Sequence, residues 1–187
     1  MKLYFVRHLK TKGNYEKRYI GCTDESIAFN GDEQINYKLP EYPDKIYASP
    51  MKRCIQTAHF LYPERKVCTK EWLKEMNFGE FENHTYEELK DNKNYQDFIQ
   101  GIENPIGGES RTSFKERCLR VFHEITAECK PEDEIVIVCH GGTIMAIMEK
   151  LEVQHRSFYD YQIPNGGVYE CEYHMEDDML LIRGRSE

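Results

Sequence analysis

Glu134-Ile135-Val136-Ile137-Val138-Cys139-His140-Gly141-Gly142-Thr143 is the stretch that decides the architecture of this chain. Its apolar run is the strongest strand in the sequence, and it breaks at His140-Gly141-Gly142 into a helically spaced segment from Thr143 to Leu151. The same order recurs upstream. Leu3-Tyr4-Phe5-Val6 is too short for a helix, suits a strand buried on both faces, and ends in Arg7-His8. Lys45-Ile46-Tyr47-Ala48 leads into Ser49-Pro50, where Ser49 is placed to N-cap a helix and Pro50 to take its first position. Met51, Cys54, Ile55, Ala58, Leu61 and Tyr62 then keep helical spacing until Pro63.

A weaker strand candidate is Lys66-Val67-Cys68-Thr69, and a long helix is expected over Ser110–Cys129 from Phe114, Cys118, Val121, Phe122 and Ile125. The tail alternates as strands do over Val168–Tyr173 and again over Met179–Ile182, and it offers strands able to pair across subunits. Strands alternating with helices predict an α/β fold, a single-domain three-layer sandwich around a mostly parallel central sheet. Between Glu71 and Ser110 the composition shifts to ten acidic residues against three basic ones. That segment reads as a short-helix excursion over the surface, anchored by Trp72, Phe78, Phe81, Tyr86, Tyr95 and Phe98. No internal repeat or low-complexity tract interrupts the pattern.

The 187 residues suit one domain, and a chain of that length buries enough surface to hold a core without metal or disulfide. A net charge of −8 argues against a nucleic-acid binder. No apolar run approaches the ~18 residues of a membrane helix, and the amino terminus resembles a signal peptide only in Lys2. Seven cysteines without a C-x-x-C pair predict reduced, mostly buried thiols rather than a disulfide frame or zinc site, and a cytoplasmic protein.

Three strand candidates therefore end in cationic or imidazole groups: Arg7-His8, Ser49-Pro50 leading to Arg53, and His140-Gly141-Gly142. Ligands of open α/β sheets bind beyond the carboxyl ends of parallel strands, where helix N-termini favour anions. Taken singly, these residues read as a surface pair, a solvated arginine, a core histidine and a tight turn. Their shared topological position points instead to a phosphate.

In this order the motifs resemble the histidine phosphatases, the phosphoglycerate mutase-like superfamily. The resemblance runs through Val6–Thr11 with Asn14, Tyr19–Asp24, Gly31–Gln34, Ser49–Ala58, Leu73–Glu82, Gly107–Ser110 and Val138–Thr143. It implies one histidine phosphatase domain over residues 1–187, with a lid-like excursion at about 80–107. It further implies phosphomonoester hydrolysis through a phosphohistidine on His8, without metal or cofactor, on a small phosphorylated metabolite. Arg7, Arg53 and His140 would hold the phosphoryl oxygens, with Asn14, Thr11, Gly21 and the Gly141 backbone N–H contacting substrate. Glu75 matches the family's acid, with Glu80 as runner-up. Leu9, Lys10 and Asn83 depart from the family's Gly, acidic and Gly residues.

The chain looks like the phosphatase branch, with the Tyr19–Ile27 region similar to α-ribazole phosphatases. A mutase needs a closed pocket, longer insertions and a small hydroxyl residue where Ile20 stands. A catalytically silent phospho-ligand sensor, favoured by Leu9, and a metal-dependent hydrolase are the alternatives from other classes.

Overall fold

The computed structural model describes residues 1–28 and 35–186. The Gly31–Gln34 part of the resemblance lies outside the described residues. Six strands form one sheet: β1 (Lys2–Arg7), β2 (Lys45–Ala48), β3 (Cys68–Thr69), β4 (Glu134–Cys139), β5 (Val168–His174) and β6 (Met179–Arg185). Their spatial order is β3-β2-β4-β1-β5-β6. The first four run parallel, while β5 is antiparallel to β1 and β6 to β5. The tail strands thus pair within the chain, which leaves β6 at one edge.

Burial on both strand faces is what creates three layers. Leu3 and Phe5 of β1, with Ile135, Ile137 and Cys139 of β4, pack against α5 (Arg111–Ala127) and α6 (Gly141–Leu151). Tyr4, Val6, Val136 and Val138 point the other way, onto Cys54 and Ala58 of α2 (Lys52–Leu61). Both groups read as continuous apolar runs because neither face meets water.

The remaining helices are short: α1 (Lys12–Tyr15), α3 (Tyr86–Leu89) and α4 (Lys93–Ile99). The last two, with 3₁₀ turns at Glu71–Leu73 and Gly79–Phe81, make up the excursion between β3 and α5. Phe81, Tyr95 and Phe98 anchor it in the core, whereas Trp72 and Tyr86 are about half exposed (46% and 55%). Trp72 instead carries the Arg120 guanidinium over its ring.

One expected cap is absent. The N-cap of α2 is Met51, which makes no side-chain capping bond. The Ser49 hydroxyl accepts from the Met51 amide at 3.4 Å, ahead of the helix, and lies 2.8 Å from Nε2 of His140.

Candidate active site

The register of the sheet assembles the site. Arg7 lies opposite Cys139, and the His8 amide donates to the Cys139 carbonyl at 3.0 Å. On the other side of β4, the Ser49 amide donates to the Val138 carbonyl at 3.0 Å. Three strand ends therefore come level, and the rings of His8 and His140 meet edge to face at 5.2 Å.

His8 is 3% exposed, and its Nδ1 lies 2.7 Å from the Leu9 carbonyl. A carbonyl oxygen only accepts, so Nδ1 carries the ring proton and the lone pair is on Nε2. Burial pushes the imidazole well below its usual pKa, and the Arg53 and Arg7 charges add to that push against the Leu9 bond. The ring is neutral at physiological pH, the form a nucleophile needs.

Arg53 is fully buried, at 0% exposure. Its guanidinium donates to the Thr23 carbonyl at 2.7 Å, the Gly21 carbonyl at 2.8 Å and Nδ1 of His140 at 3.3 Å. His140 is also neutral, depressed by burial and then by Arg53, and both its ring nitrogens are engaged. Arg7 donates to the Ile163 carbonyl at 2.6 Å. Among the described residues neither Arg7 nor Arg53 forms a salt bridge with a carboxylate. Enclosed cations without a counter-ion are costly, and an anion between them removes that cost.

Glu75 reaches the same place from the excursion. Its Oε1 accepts from the Met76 amide at 2.9 Å and its Oε2 from the Gly142 amide at 2.8 Å. Burial raises its pKa above the usual carboxylate value, while the two amides and Arg7 pull the other way. The approach explains Gly142, where a Cβ would stand 2.3 Å from Oε1 of Glu75. A cavity of about 550 Å³ opens here, and Arg7, Asn14, Glu75, Gly141 and Gly142 are among the residues that line it.

A family profile described as histidine phosphatase superfamily (branch 1) matches residues 3–182. The chain belongs to that superfamily. Among its relatives is a broad-specificity phosphatase of Saccharomyces cerevisiae, 25% identical over 98% of this chain and 84% of that protein. A crystal structure of phosphoserine phosphatase from Entamoeba histolytica, in complex with 3-phosphoglyceric acid, superposes with a TM-score of 0.81. It is 26% identical and covers 100% of this chain and 96% of its own. The α-ribazole phosphatase of Shigella flexneri shares the fold, with a TM-score of 0.81 at 20% identity over 98% of this chain and 95% of its own. Phosphoglycerate mutases also occur among the relatives.

Within this histidine phosphatase the expected site residues separate into two groups. Arg7, Asn14, Glu75 and Gly141 line the cavity. His8, Arg53 and His140 are buried beside them. Thr11 and Gly21 do not line it. Thr11 is fully buried and caps α1, and Gly21 supplies a carbonyl to Arg53. Glu80 is exposed, away from the cavity, with Asn94 3.4 Å from its carboxylate.

None of the three departures from the family pattern lines the cavity. Leu9 is 3% exposed, outside the cavity lining, and its amide donates to the Thr57 hydroxyl at 3.0 Å. Lys10 sits over the Tyr15 ring, 5.0 Å from its centre. Asn83 adopts φ +63°, a left-handed conformation that asparagine tolerates better than most residues and glycine best.

Three supporting residues escaped the sequence reading. Asn165 donates from Nδ2 to the His8 carbonyl at 3.1 Å and to Oδ1 of Asn14 at 3.2 Å. Oδ1 of Asn14 also accepts from the Thr11 amide at 3.1 Å, so its Nδ2 is the end left to donate to a ligand. Glu82 accepts from the amides of Gly21, Cys22, Thr23 and Phe78 and from the Thr23 hydroxyl. Burial alone would raise its pKa, yet these bonds hold it below the usual value. It thereby fixes the loop whose carbonyls hold Arg53.

Arg117 is the third. It grips Glu109 through Nε (2.6 Å) and Nη2 (2.8 Å), and donates to the carbonyls of Trp72 (2.9 Å), Lys74 (2.7 Å) and Glu75 (2.9 Å). The backbone carrying Glu75 is held by this guanidinium together with the Thr143 hydroxyl, which lies 3.3 Å from the Leu73 carbonyl and 3.2 Å from that of Lys74. Arg117→Met is expected to lower kcat by ~10–100-fold, the usual consequence of displacing a catalytic group by about an ångström. Its pH–rate profile should shift on the alkaline side, with Arg117→Lys intermediate. An unchanged profile would make Arg117 a packing residue only.

Proposed function

We propose that this histidine phosphatase is a metal-independent phosphomonoesterase that hydrolyses a small phosphorylated metabolite through a phosphohistidine at Nε2 of His8. The observation that carries the reading is the neutral, Nδ1-protonated His8 beside two arginines that lack a carboxylate partner. In the first step Nε2 forms the N–P bond as the ester P–O bond breaks, and Glu75 gives its proton to the departing oxygen. In the second, water attacks phosphorus, its proton passes to Glu75, and the N–P electrons return to Nε2. Inorganic phosphate leaves, and both groups are back in their starting forms. Arg7, Arg53, His140, Nδ2 of Asn14 and the Gly141 amide are assigned to the phosphoryl oxygens. For His140 that contact requires its Nε2–H to exchange the Ser49 hydroxyl for the ligand, since Nδ1 accepts from Arg53. Charge stabilisation and positioning carry most of the catalysis in phosphoryl transfer.

Metal independence is supported by the donor set: among the described residues no three His, Cys, Asp or Glu side chains cluster as ligands. Seven unpaired cysteines support a reducing compartment, the cytoplasm. The burial of Leu9 outside the cavity removes the feature that favoured a silent sensor. The test is rapid acid and base quenching after mixing with a radiolabelled phosphomonoester in excess chelator. An acid-labile, base-stable label on His8 is expected. A chelator-sensitive turnover, or no label at all during turnover, would overturn the mechanism.

A further inference from the structure

The rest of the cavity lining differs in character from the residues assigned to the phosphate. Tyr19, Phe78, Phe98, Phe114 and Phe158 line the cavity, so its walls are largely aromatic. Three cations also line it, and their electrostatic states differ. Arg18 is neutralised by Glu16 at 2.7 Å and Glu88 at 3.2 Å, and Lys115 by Glu149 at 2.5 Å. Arg111 has no carboxylate partner among the described residues. Its Nη2 donates to the Phe98 carbonyl at 2.6 Å, and the guanidinium lies over the Phe98 ring at 4.8 Å. Neither Nε nor Nη1 has an acceptor among the described residues, and Nε is enclosed without one.

A guanidinium stacked on an aromatic face and held through Nη2 by the Phe98 carbonyl and, at 3.5 Å, the Ile99 carbonyl is preorganised, since its planar fork presents donors in a fixed geometry. Its place along α5 sets the length of what it can meet. Arg117 holds the Glu75 carbonyl, and Arg111 stands six residues earlier on the same helix, roughly 9 Å away along its axis at 1.5 Å per residue. A volume of about 550 Å³ also exceeds what a two- or three-carbon phosphorylated acid fills.

We propose that Arg111 is a specificity-determining residue, and that the preferred substrates are phosphomonoesters whose leaving alcohol has an apolar or aromatic body ending in a carboxylate. The inference rests on the phosphatase reading above. The phosphoryl group enters among Arg7, Asn14 and Gly141, the body lies between the aromatic walls, and the carboxylate pairs with Arg111. A charge-assisted bond to an otherwise unpaired guanidinium discriminates strongly against a neutral end group.

The probe pair is 4-(carboxymethyl)phenyl phosphate and its primary amide, in which a methylene insulates the leaving oxygen from the end group. The wild-type chain is expected to favour the carboxylate by at least tenfold in kcat/KM. Arg111→Gln should bring that ratio close to one, and Arg111→Lys should keep part of it. Added salt should narrow the wild-type ratio, and phosphoserine should be a poorer substrate than the long acid. Equal kcat/KM for the pair in the wild type, or a preference that Arg111→Gln leaves intact, overturns the proposal while the phosphatase reading stands. Hydrolysis of neither ester, nor of any other monoester, brings down the reading beneath it. Should Arg111→Gln misfold, Arg111→Lys and the salt dependence of the wild-type ratio decide the question.

Discussion

His8→Ala is expected to lose turnover by at least ~10⁴-fold for every phosphomonoester that the wild-type chain hydrolyses, because no other group can take the phosphoryl. The neighbouring imidazole is no substitute. Both nitrogens of His140 are engaged, Nδ1 by Arg53 and Nε2 by Ser49. Cys54 is within 3.5 Å of His140, but burial pushes its thiol up to about 12, which leaves almost no thiolate at neutral pH. The variant should still bind inorganic phosphate, since Arg7, Arg53 and the Gly141 amide are untouched. Steady-state assays give the first result and a phosphate titration by calorimetry the second. Residual activity within 100-fold of the wild type would show that water attacks the ester directly.

Glu75→Gln is the second large effect, expected at ~10²–10⁴-fold, the usual worth of general acid–base catalysis. The size should depend on the leaving group in a diagnostic way. An alkyl phosphate needs a proton on its departing oxygen, so its first step fails. A p-nitrophenyl ester leaves without one, so the first step survives and hydrolysis of the phosphohistidine becomes limiting. The variant should then release a burst of about one nitrophenol per site, followed by a slow phase. Equal losses for both esters with no burst would count against the acid assignment.

The pH dependence follows from the same two residues. Burial lowers His8, so the neutral nucleophile persists to lower pH than an exposed imidazole would allow. Burial raises Glu75, so the protonated acid persists to higher pH than an exposed carboxyl would. Both shifts favour coexistence of the two required forms in mildly acid solution. Transfer from alkyl esters should therefore decline as pH rises through the Glu75 pKa, and that alkaline limb should vanish in Glu75→Gln.

The parts legible in the sequence were those set by continuous burial. Leu3–Val6 and Ile135–Cys139 read as strands because both their faces are covered, and the Phe114–Ile125 spacing marked α5 for the same reason. The strand-end position of Arg7, His8 and His140 also followed from chain order alone. What could not be read were choices made by tertiary contact. Ser49 had the right residue type and place for a helix cap, yet a buried imidazole claimed its hydroxyl. Trp72 and Tyr86 had the composition of anchors, but the excursion turns them outward. Asn165, Glu82 and Arg117 act through backbone carbonyls or amides far away in sequence, 42 residues in the case of Arg117 and Glu75 and 157 for Asn165 and His8. No local pattern announces such a bond. The Glu109–Ser110 motif was the nearest signal for Arg117, since Glu109 is its ion-pair partner.

The placement of β1 has a consequence for how the molecule comes into being. Both its neighbours in the sheet lie far along the chain: Lys2 pairs with Glu134 on one side and with Glu172 on the other. Loop closure over such spans is slow and entropically unfavourable until many contacts form together. The apolar β1 therefore has no sheet partner until more than a hundred further residues have joined it. The sheet should therefore close in one cooperative event, and chains truncated before β4 should be both inactive and prone to aggregate.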